Sequence, residues 1–167
     1  MDKEKLAAES ITFRPIKDSK EDLEFLYTVY ASTRLEELAV TGWSAAEIET
    51  FLRSQFGLQH KQYMQNYKNK AFDIILYHKM PVGRLYVDRR PDDIRIVDIA
   101  LLKEYRRQGI GARIIKKLIA EAEEKKVRLS LHVEHNNPAM GLYERLGFEK
   151  KDLVGIYYYM VRPPSLP

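Results

Sequence analysis

Apolar side chains recur at two different spacings along this chain, and the changes of spacing predict its elements. Ile11 to Lys17 alternates apolar and polar residues and predicts a first strand, with Pro15 marking an edge or a bulge. Asp18 or Ser19 can cap a helix whose Leu23, Leu26, Val29 and Tyr30 fall at helical spacing. Gly42-Trp43 breaks that pattern. Ser44 followed by Glu47 has the form of a capping box, and Ile48, Phe51, Leu52 and Phe56 carry a second helix running to Tyr67 with an interruption near Gly57. From Phe72 onward the spacing shortens to two or to unbroken apolar runs. Strands are predicted over Phe72 to Tyr77, Val82 to Asp88 and Ile94 to Leu102, with turns at Lys79 to Pro81 and Arg90 to Asp93. A long helix follows from Gly109 to Lys125, with Ile110, Ile114, Ile115, Leu118, Ile119 and Ala122 on its inner side. Arg128 to Val133 is the next strand. Asn137-Pro138 opens a short helix to Leu146, because Asn caps and Pro suits the first helical position, and Gly147 ends it. Strands at Phe148 to Lys151 and Val154 to Val161 close the chain. The order β-α-α-β-β-β-α-β-α-β-β is that of a single α+β domain over residues 11–162, with short tails at 1–10 and 163–167.

Composition narrows what such a domain does. The 167 residues are enough to bury one core, and the prolines and glycines are scattered rather than clustered into a linker. No apolar run approaches the roughly 18–20 residues of a membrane span, and Met1 to Ser10 is charged rather than apolar. The expectation is a soluble cytoplasmic protein with no membrane partner. The chain has no cysteine, which excludes disulfides, a thiolate nucleophile and cysteine metal ligands. His132 and His135 are three apart at the end of a predicted strand and point to opposite sides, so no metal site is expected. The net charge of +4 is spread over doublets such as Arg89-Arg90, Arg106-Arg107 and Lys116-Lys117. A nucleic-acid partner calls for a denser basic stripe, whereas mild scattered basicity suits a small polyanion.

The segment Leu101 to Arg113 offers that polyanion a seat. An apolar strand feeds Arg106-Arg107-Gln108, and Gly109 and Gly111 open the long helix. Backbone N–H groups of a first helical turn lack intrahelical partners and point at an anion, which the macrodipole also favours. Glycine lets a ligand approach the backbone, and the arginines add charge-assisted hydrogen bonds. A nucleoside-triphosphate P-loop is excluded because no Gly-x-x-x-x-Gly-Lys-Ser/Thr string exists. A Rossmann fingerprint is excluded because its third small residue would fall on Ile114.

Residues 136 to 148 supply a second segment. Ala139, Leu142, Tyr143 and Leu146 share one helix face, and taken alone Tyr143 is a packing residue whose hydroxyl needs a partner. Taken together, Arg107 to Ala112 and the frame Asn-x-x-Ala-x-x-x-Tyr-Glu-x-x-Gly-Phe resemble the GNAT superfamily of acyl-CoA-dependent N-acetyltransferases over roughly residues 11 to 162. The resemblance implies a GNAT-like fold, a central mixed, mostly antiparallel sheet of about seven strands flanked by four helices. It implies acetyl-CoA as cosubstrate. It places the backbone of Ile99, Ala100 and Leu101 along the pantetheine arm and acetyl carbonyl. It also places Arg107, Gln108, Gly109, Ile110, Gly111 and Ala112 around the pyrophosphate, with Arg106 and Arg113 at its rim. Asn136 falls at a CoA-contacting position, for which the neighbouring Asn137 competes, and Tyr143 at the position of the general acid.

The implied reaction is direct attack of a primary amine on the thioester in a ternary complex. Backbone N–H groups stabilise the developing oxyanion, and Tyr143 supplies a proton to the leaving thiolate. The base stays open among Asp98, His132, Glu134 and a water chain to bulk. Acceptor recognition is expected from the first two helices and their loop, where Glu36 and Glu37 could hold a cationic amine and Trp43 could stack on it; Arg34 lies there too. The plainer reading of these residues is a solvated helix face and a core tryptophan. The alternative function is a catalytically silent CoA-binding sensor or interaction module. The Tyr157-Tyr158-Tyr159 strand suits a dimer edge as well as a core, which leaves a homodimer open.

Overall fold

A computed structural model describes residues 10–66 and 70–165. The expected N-terminal tail, Ser10 apart, and Tyr67 as a helix end lie outside the described residues, as do the last two residues of the expected C-terminal tail. The described elements follow the expected order: β1 (Ile11–Pro15), α1 (Lys20–Ala39), α2 (Ala45–Asn66), β2 (Lys70–Tyr77), β3 (Met80–Arg89), β4 (Asp93–Leu101), α3 (Ile110–Lys125), β5 (Arg128–Glu134), α4 (Met140–Arg145), β6 (Glu149–Val154) and β7 (Tyr157–Arg162). A 3-10 turn, Lys103–Tyr105, was not foreseen. The seven strands hydrogen-bond in the order β1-β2-β3-β4-β5-β7-β6. β4 and β5 run parallel, while β1–β2, β5–β7 and β6–β7 are antiparallel. This is the expected α+β class, with seven strands and four α-helices among the described residues.

The chain divides into two compact units, and both β3 and β4 pass from one to the other. The first holds β1, α1, α2, most of β2, β3 as far as Leu85, and Ala100–Arg106. Its core gathers Leu26, Val29, Leu52, Ile74, Ile75 and Val82. Ser19 is the cap of α1, its hydroxyl accepting from Asp22 N at 3.2 Å. The Asp22 carboxylate in turn accepts two bonds of 2.9 Å from Arg14 on β1 and one of 2.8 Å from Lys17 N. The Arg14 guanidinium holds that carboxyl below its usual pKa. Ser44 caps α2 through Glu47 N at 3.1 Å. The interruption expected near Gly57 does not occur, because burial of Leu52 and Phe56 carries the helix through a glycine that costs about 1 kcal/mol relative to alanine. The β2–β3 turn is His78-Lys79 rather than Lys79 to Pro81. Both residues are left-handed (φ 48° and 67°), the two-residue hairpin geometry that more often takes Asn-Gly.

The second unit holds Tyr86–Ile99 and the chain from Arg107 onward. Ile94, Ile96, Ile110, Ile114, Ile115, Leu129, Leu131 and Met160 form its interior. The short helix begins at Met140, two residues later than expected. The Asn137 side chain does cap, but it accepts from Ala139 N at 2.8 Å and closes a turn before the helix starts. Among the described residues, no helix is long and apolar enough to cross a membrane, and no cluster of three or more His, Asp or Glu could hold a metal ion.

Candidate active site

In the second unit, the turn into α3 leaves backbone N–H groups without intrahelical partners. Gly109, at φ 82°, is the N-cap of α3, and the first bond of the helix runs from Arg113 N to Gly109 O at 3.1 Å. The N–H groups of Ile110, Gly111 and Ala112 lie ahead of that bond, so none has an intrahelical acceptor. No acidic side chain occupies the first turn. Arg107 is left-handed at φ 61°, a conformation uncommon outside glycine that tends to collect at functional sites. Arg107, Gln108 and Gly109 are exposed. A Cβ on Gly109 would meet only the Arg113 guanidinium carbon, 4.0 Å away, which puts a positive charge beside the glycine. Ile110 is 1% exposed and offers a ligand only its N–H, its side chain being one of those that fasten α3. Gly111 and Ala112 are half-buried.

In the first unit, Ala100 and Leu101 end β4 against Gly83 of β3. A Cβ on Gly83 would lie 2.2 Å from Ala100 O and 2.9 Å from Leu101 Cδ2, so only glycine fits. Leu102 N donates to Val82 O at 2.8 Å just beyond. Arg106, expected at the ligand rim, is directed into its own unit instead. Its Nε donates to Leu101 O at 2.9 Å, and its Nη2 reaches Ser32 Oγ at 3.2 Å. A guanidinium finds two acceptors here that the sequence does not place near it, so Arg106 fastens the end of β4 to α1.

Within the second unit, β4 parts from β5. Their paired register covers Asp93↔Arg128 to Ile96↔Leu131 and stops there, although β4 continues to Leu101 and β5 to Glu134. Val97, Asp98 and Ile99 follow that last pair and are half-buried. Tyr143 is 7% exposed. It stands at the C-terminal end of α4, where Phe148 N donates to Tyr143 O (3.0 Å) and Gly147 N to Glu144 O (3.1 Å), a Schellman closure around Gly147 at φ 96°. The Tyr143 and Phe148 rings meet edge-on at 5.6 Å, the apolar contact that accompanies this motif. The packing role read from Tyr143 alone is therefore present. Its hydroxyl is also unusual: burial, and then the nearby Asp98 charge, push its pKa up to about 12.

The remaining candidates separate on geometry. Asn137 spends its carbonyl on the turn, while Asn136 is exposed with no side-chain partner among the described residues. His132 has Nδ1 3.2 Å from Arg95 Nη1, and burial and then that charge lower its pKa. With Nδ1 accepting from Arg95, the neutral ring carries its proton on Nε2, which leaves neither nitrogen ready to act as base. Glu134 is exposed at the end of β5. In the first unit, Glu37 pairs with Arg34, and Glu36 lies 3.5 Å from Lys103 Nζ. Trp43 is not a core residue: it is 43% exposed, edge-on to Phe51 at 5.4 Å.

Comparison with known proteins identifies the family. The family described as the acetyltransferase (GNAT) family matches residues 33–148. The chain is 38% identical over 68 residues to the ribosomal protein bS18-alanine N-acetyltransferase of Haemophilus influenzae, covering 40% of this chain and 47% of that protein. It is 38% identical over 79 residues to an N-alpha-acetyltransferase of Saccharolobus solfataricus, covering 41% of this chain and 47% of that one. The chain thus spans about half the length of the curated relatives it matches. Among solved structures, the PaiA N-acetyltransferase from Thermoplasma acidophilum in complex with coenzyme A superposes with a TM-score of 0.67 at 20% identity, covering 92% of this chain and 99% of that one. The Escherichia coli ribosomal-protein-S18-alanine N-acetyltransferase gives 0.62 at 21% identity, over 94% and 96%. At such identities these two likenesses concern the fold.

Proposed function

Because the chain belongs to the GNAT acetyltransferase family, we propose that it transfers the acetyl group of acetyl-CoA to a primary amine, with the α-amine of a protein N-terminus as the first acceptor to test. The observation that carries the proposal is the early end of the β4–β5 register at Ile96↔Leu131. Past that point, β4 has backbone groups not spent on β5, and these are available to a ligand's amide arm. The residues present fit the donor. Ile110, Gly111 and Ala112 direct N–H groups outward from a helix start free of acid, and Gly109 leaves the approach open beneath the Arg113 charge. Asn136, Arg107 and Gln108 are exposed for contact at the same segments. The α-amine is favoured among acceptors because the relatives named above act, by their names, on alanine or on α-amines.

When bound, acetyl-CoA supplies an activated acetyl thioester. Backbone groups at Ile99, Ala100 and Leu101 hold the pantetheine arm and the carbonyl, and Arg106, through Leu101 O, fixes the end of the strand that presents them. Tyr143 keeps its proton because its pKa is about 12. Full transfer to a thiolate whose acid has a pKa near 8.5 would be uphill by about 5 kcal/mol. The Tyr143 hydroxyl therefore donates a hydrogen bond as the carbon–sulfur bond breaks, and the proton lost by the attacking amine balances the thiol product. His132 is set aside as base for the reason given above, and Asp98 or water receives that proton.

The test is release of free thiol from acetyl-CoA with an alanine-initiated peptide, beside a polyamine and a peptide whose only amine is a lysine side chain. The product should gain one acetyl group by mass spectrometry. Thermal stabilisation by acetyl-CoA with no thiol release from any acceptor would turn the reading to a silent CoA-binding module, and no stabilisation would refute both.

A further inference from the structure

The helix that carries Tyr143 is six residues long, and Tyr143 is its only buried side chain. A helix this short is marginal by itself, and one buried ring cannot define its orientation. A further hold comes from the last strand. Arg162, near the end of β7, donates from Nε to Leu146 O at 2.9 Å, satisfying a carbonyl at the C-cap of α4. Its Nη1 donates to Glu123 Oε1 of α3 at 2.6 Å. The arginine is 20% and the glutamate 30% exposed, so the pair is screened less than a surface pair. Gly147 makes room: a Cβ there would sit 3.2 Å from Arg162 Nε, in a residue already at φ 96°. The chain then passes Pro163-Pro164, whose fixed φ angles direct it, and Ser165 donates to the Glu123 carboxylate from both N and Oγ, each at 3.1 Å.

We infer that Arg162 is a positioning residue for the Tyr143 hydroxyl, clamping the end of α4 to α3 through Leu146 O and Glu123. The inference rests on the hydrogen-bond donor role given to Tyr143 above. α3 is also the helix whose first turn faces the pyrophosphate, so the clamp references the proton-bearing group to the element that holds the donor. A guanidinium is needed because one planar group must serve a carbonyl and a carboxylate at once.

A double-mutant cycle on the full chain tests this, with Arg162→Gln, Tyr143→Phe and the double variant assayed for kcat and for the acetyl-CoA dissociation constant. In the parent, Arg162→Gln should lower kcat about tenfold with acetyl-CoA affinity unchanged, since misplacement without loss of binding acts on the chemical step. In the Tyr143→Phe background it should add nothing, the signature of two residues acting through one group. Equal losses in both backgrounds, or a loss confined to acetyl-CoA affinity, would overturn the clamp and leave the Tyr143 role standing. Parent-level kcat in Tyr143→Phe itself would instead remove the donor role, and with it the purpose of the clamp. Should Arg162→Gln fail to fold, Glu123→Gln runs through the same cycle, with about a threefold loss of kcat expected because the bond to Leu146 O survives.

Discussion

The turn before α3 and the end of α4, to which the proposed function assigns the same ligand, are built on opposite principles. The turn works through main chain. Three consecutive N–H groups have no intrahelical acceptor, the exposed residues beside them are Arg107, Gln108 and Gly109, and the buried Ile110 and Ile114 hold the helix. The end of α4 would work through one hydroxyl, and the Schellman bonds and Arg162 fasten the backbone that carries that single side chain. A main-chain site fails when its backbone is forced into another shape or when a Cβ intrudes. A side-chain site fails when one atom is removed, even if nothing around it moves. Substitutions should therefore sort by kind: those at α4 act on turnover, those at the turn on stability and donor affinity.

The sharpest division is expected from Tyr143→Phe. It removes one oxygen and keeps the edge-on contact with Phe148, so kcat should fall about a hundredfold, roughly 2.7 kcal/mol of transition-state stabilisation, with acetyl-CoA affinity unchanged in steady-state and equilibrium measurements. A comparable loss of affinity would mean that α4 helps to form the donor seat. The same hydroxyl leaves a mark on alkaline stability. Its pKa rises from 10.0 to about 12 on folding, so its contribution is complete below pH 10 and disappears as pH climbs toward 12. The two-unit rise corresponds to about 3 kcal/mol at most. Tyr143→Phe should hold its Tm across that window better than the parent, and parallel pH curves for the two proteins would contradict the buried, Asp98-facing phenol.

The same contrast explains what could be read beforehand. The turn into α3 was legible because main-chain geometry leaves a local trace, glycines at fixed distance after an apolar strand. Tyr143 became a candidate only through its frame of neighbours, since helical spacing gives its ring a packing role that the structure also contains. Arg106 was misplaced because Ser32, which turns its guanidinium inward, lies far back in the chain. Gly83 went unnoticed for a related reason: its constraint is Ala100 on another strand, although an isolated glycine within a strand is itself a signal of close approach. The start of α4 was set too early because Asn-Pro caps a turn and a helix with the same side-chain bond. His78-Lys79 escaped because nothing in those residue types announces two left-handed positions. Local rules located the elements well; contacts between distant residues decided which side chains the site keeps.

At the turn, Gly109→Ala should show the opposite pattern to Tyr143→Phe. Space is available, with Arg113 Cζ 4.0 Å from the new Cβ, so the cost is conformational: a left-handed alanine loses about 1–2 kcal/mol of stability. The Tm should drop by several degrees and acetyl-CoA should bind more weakly, while kcat at saturating donor stays near the parent value. A fall in kcat at saturation would show that the turn shapes the chemical step as well as the seat.

Arg107→Gly carries the smallest expected effect and the most specific one, because two contributions oppose each other. The left-handed conformation at φ 61° costs an arginine about 1–2 kcal/mol that glycine avoids. Glycine returns roughly 0.5–1 kcal/mol of that through the greater freedom of its unfolded chain. The variant should therefore be slightly more stable than the parent, yet bind acetyl-CoA a few-fold more weakly, with the deficit narrowing at high salt because the lost interaction is a charge at an exposed site. Arg107→Ala loses the same charge and keeps the strain, so the stability gap between the alanine and glycine variants measures the conformational part alone. If chemical denaturation gives no gap, the residue's own backbone preference does not oppose the left-handed shape of the turn. The cradle would then depend on side-chain anchors such as Ile110 as much as the end of α4 depends on Arg162, and the distinction between the two regions would be one of ligand chemistry rather than of construction.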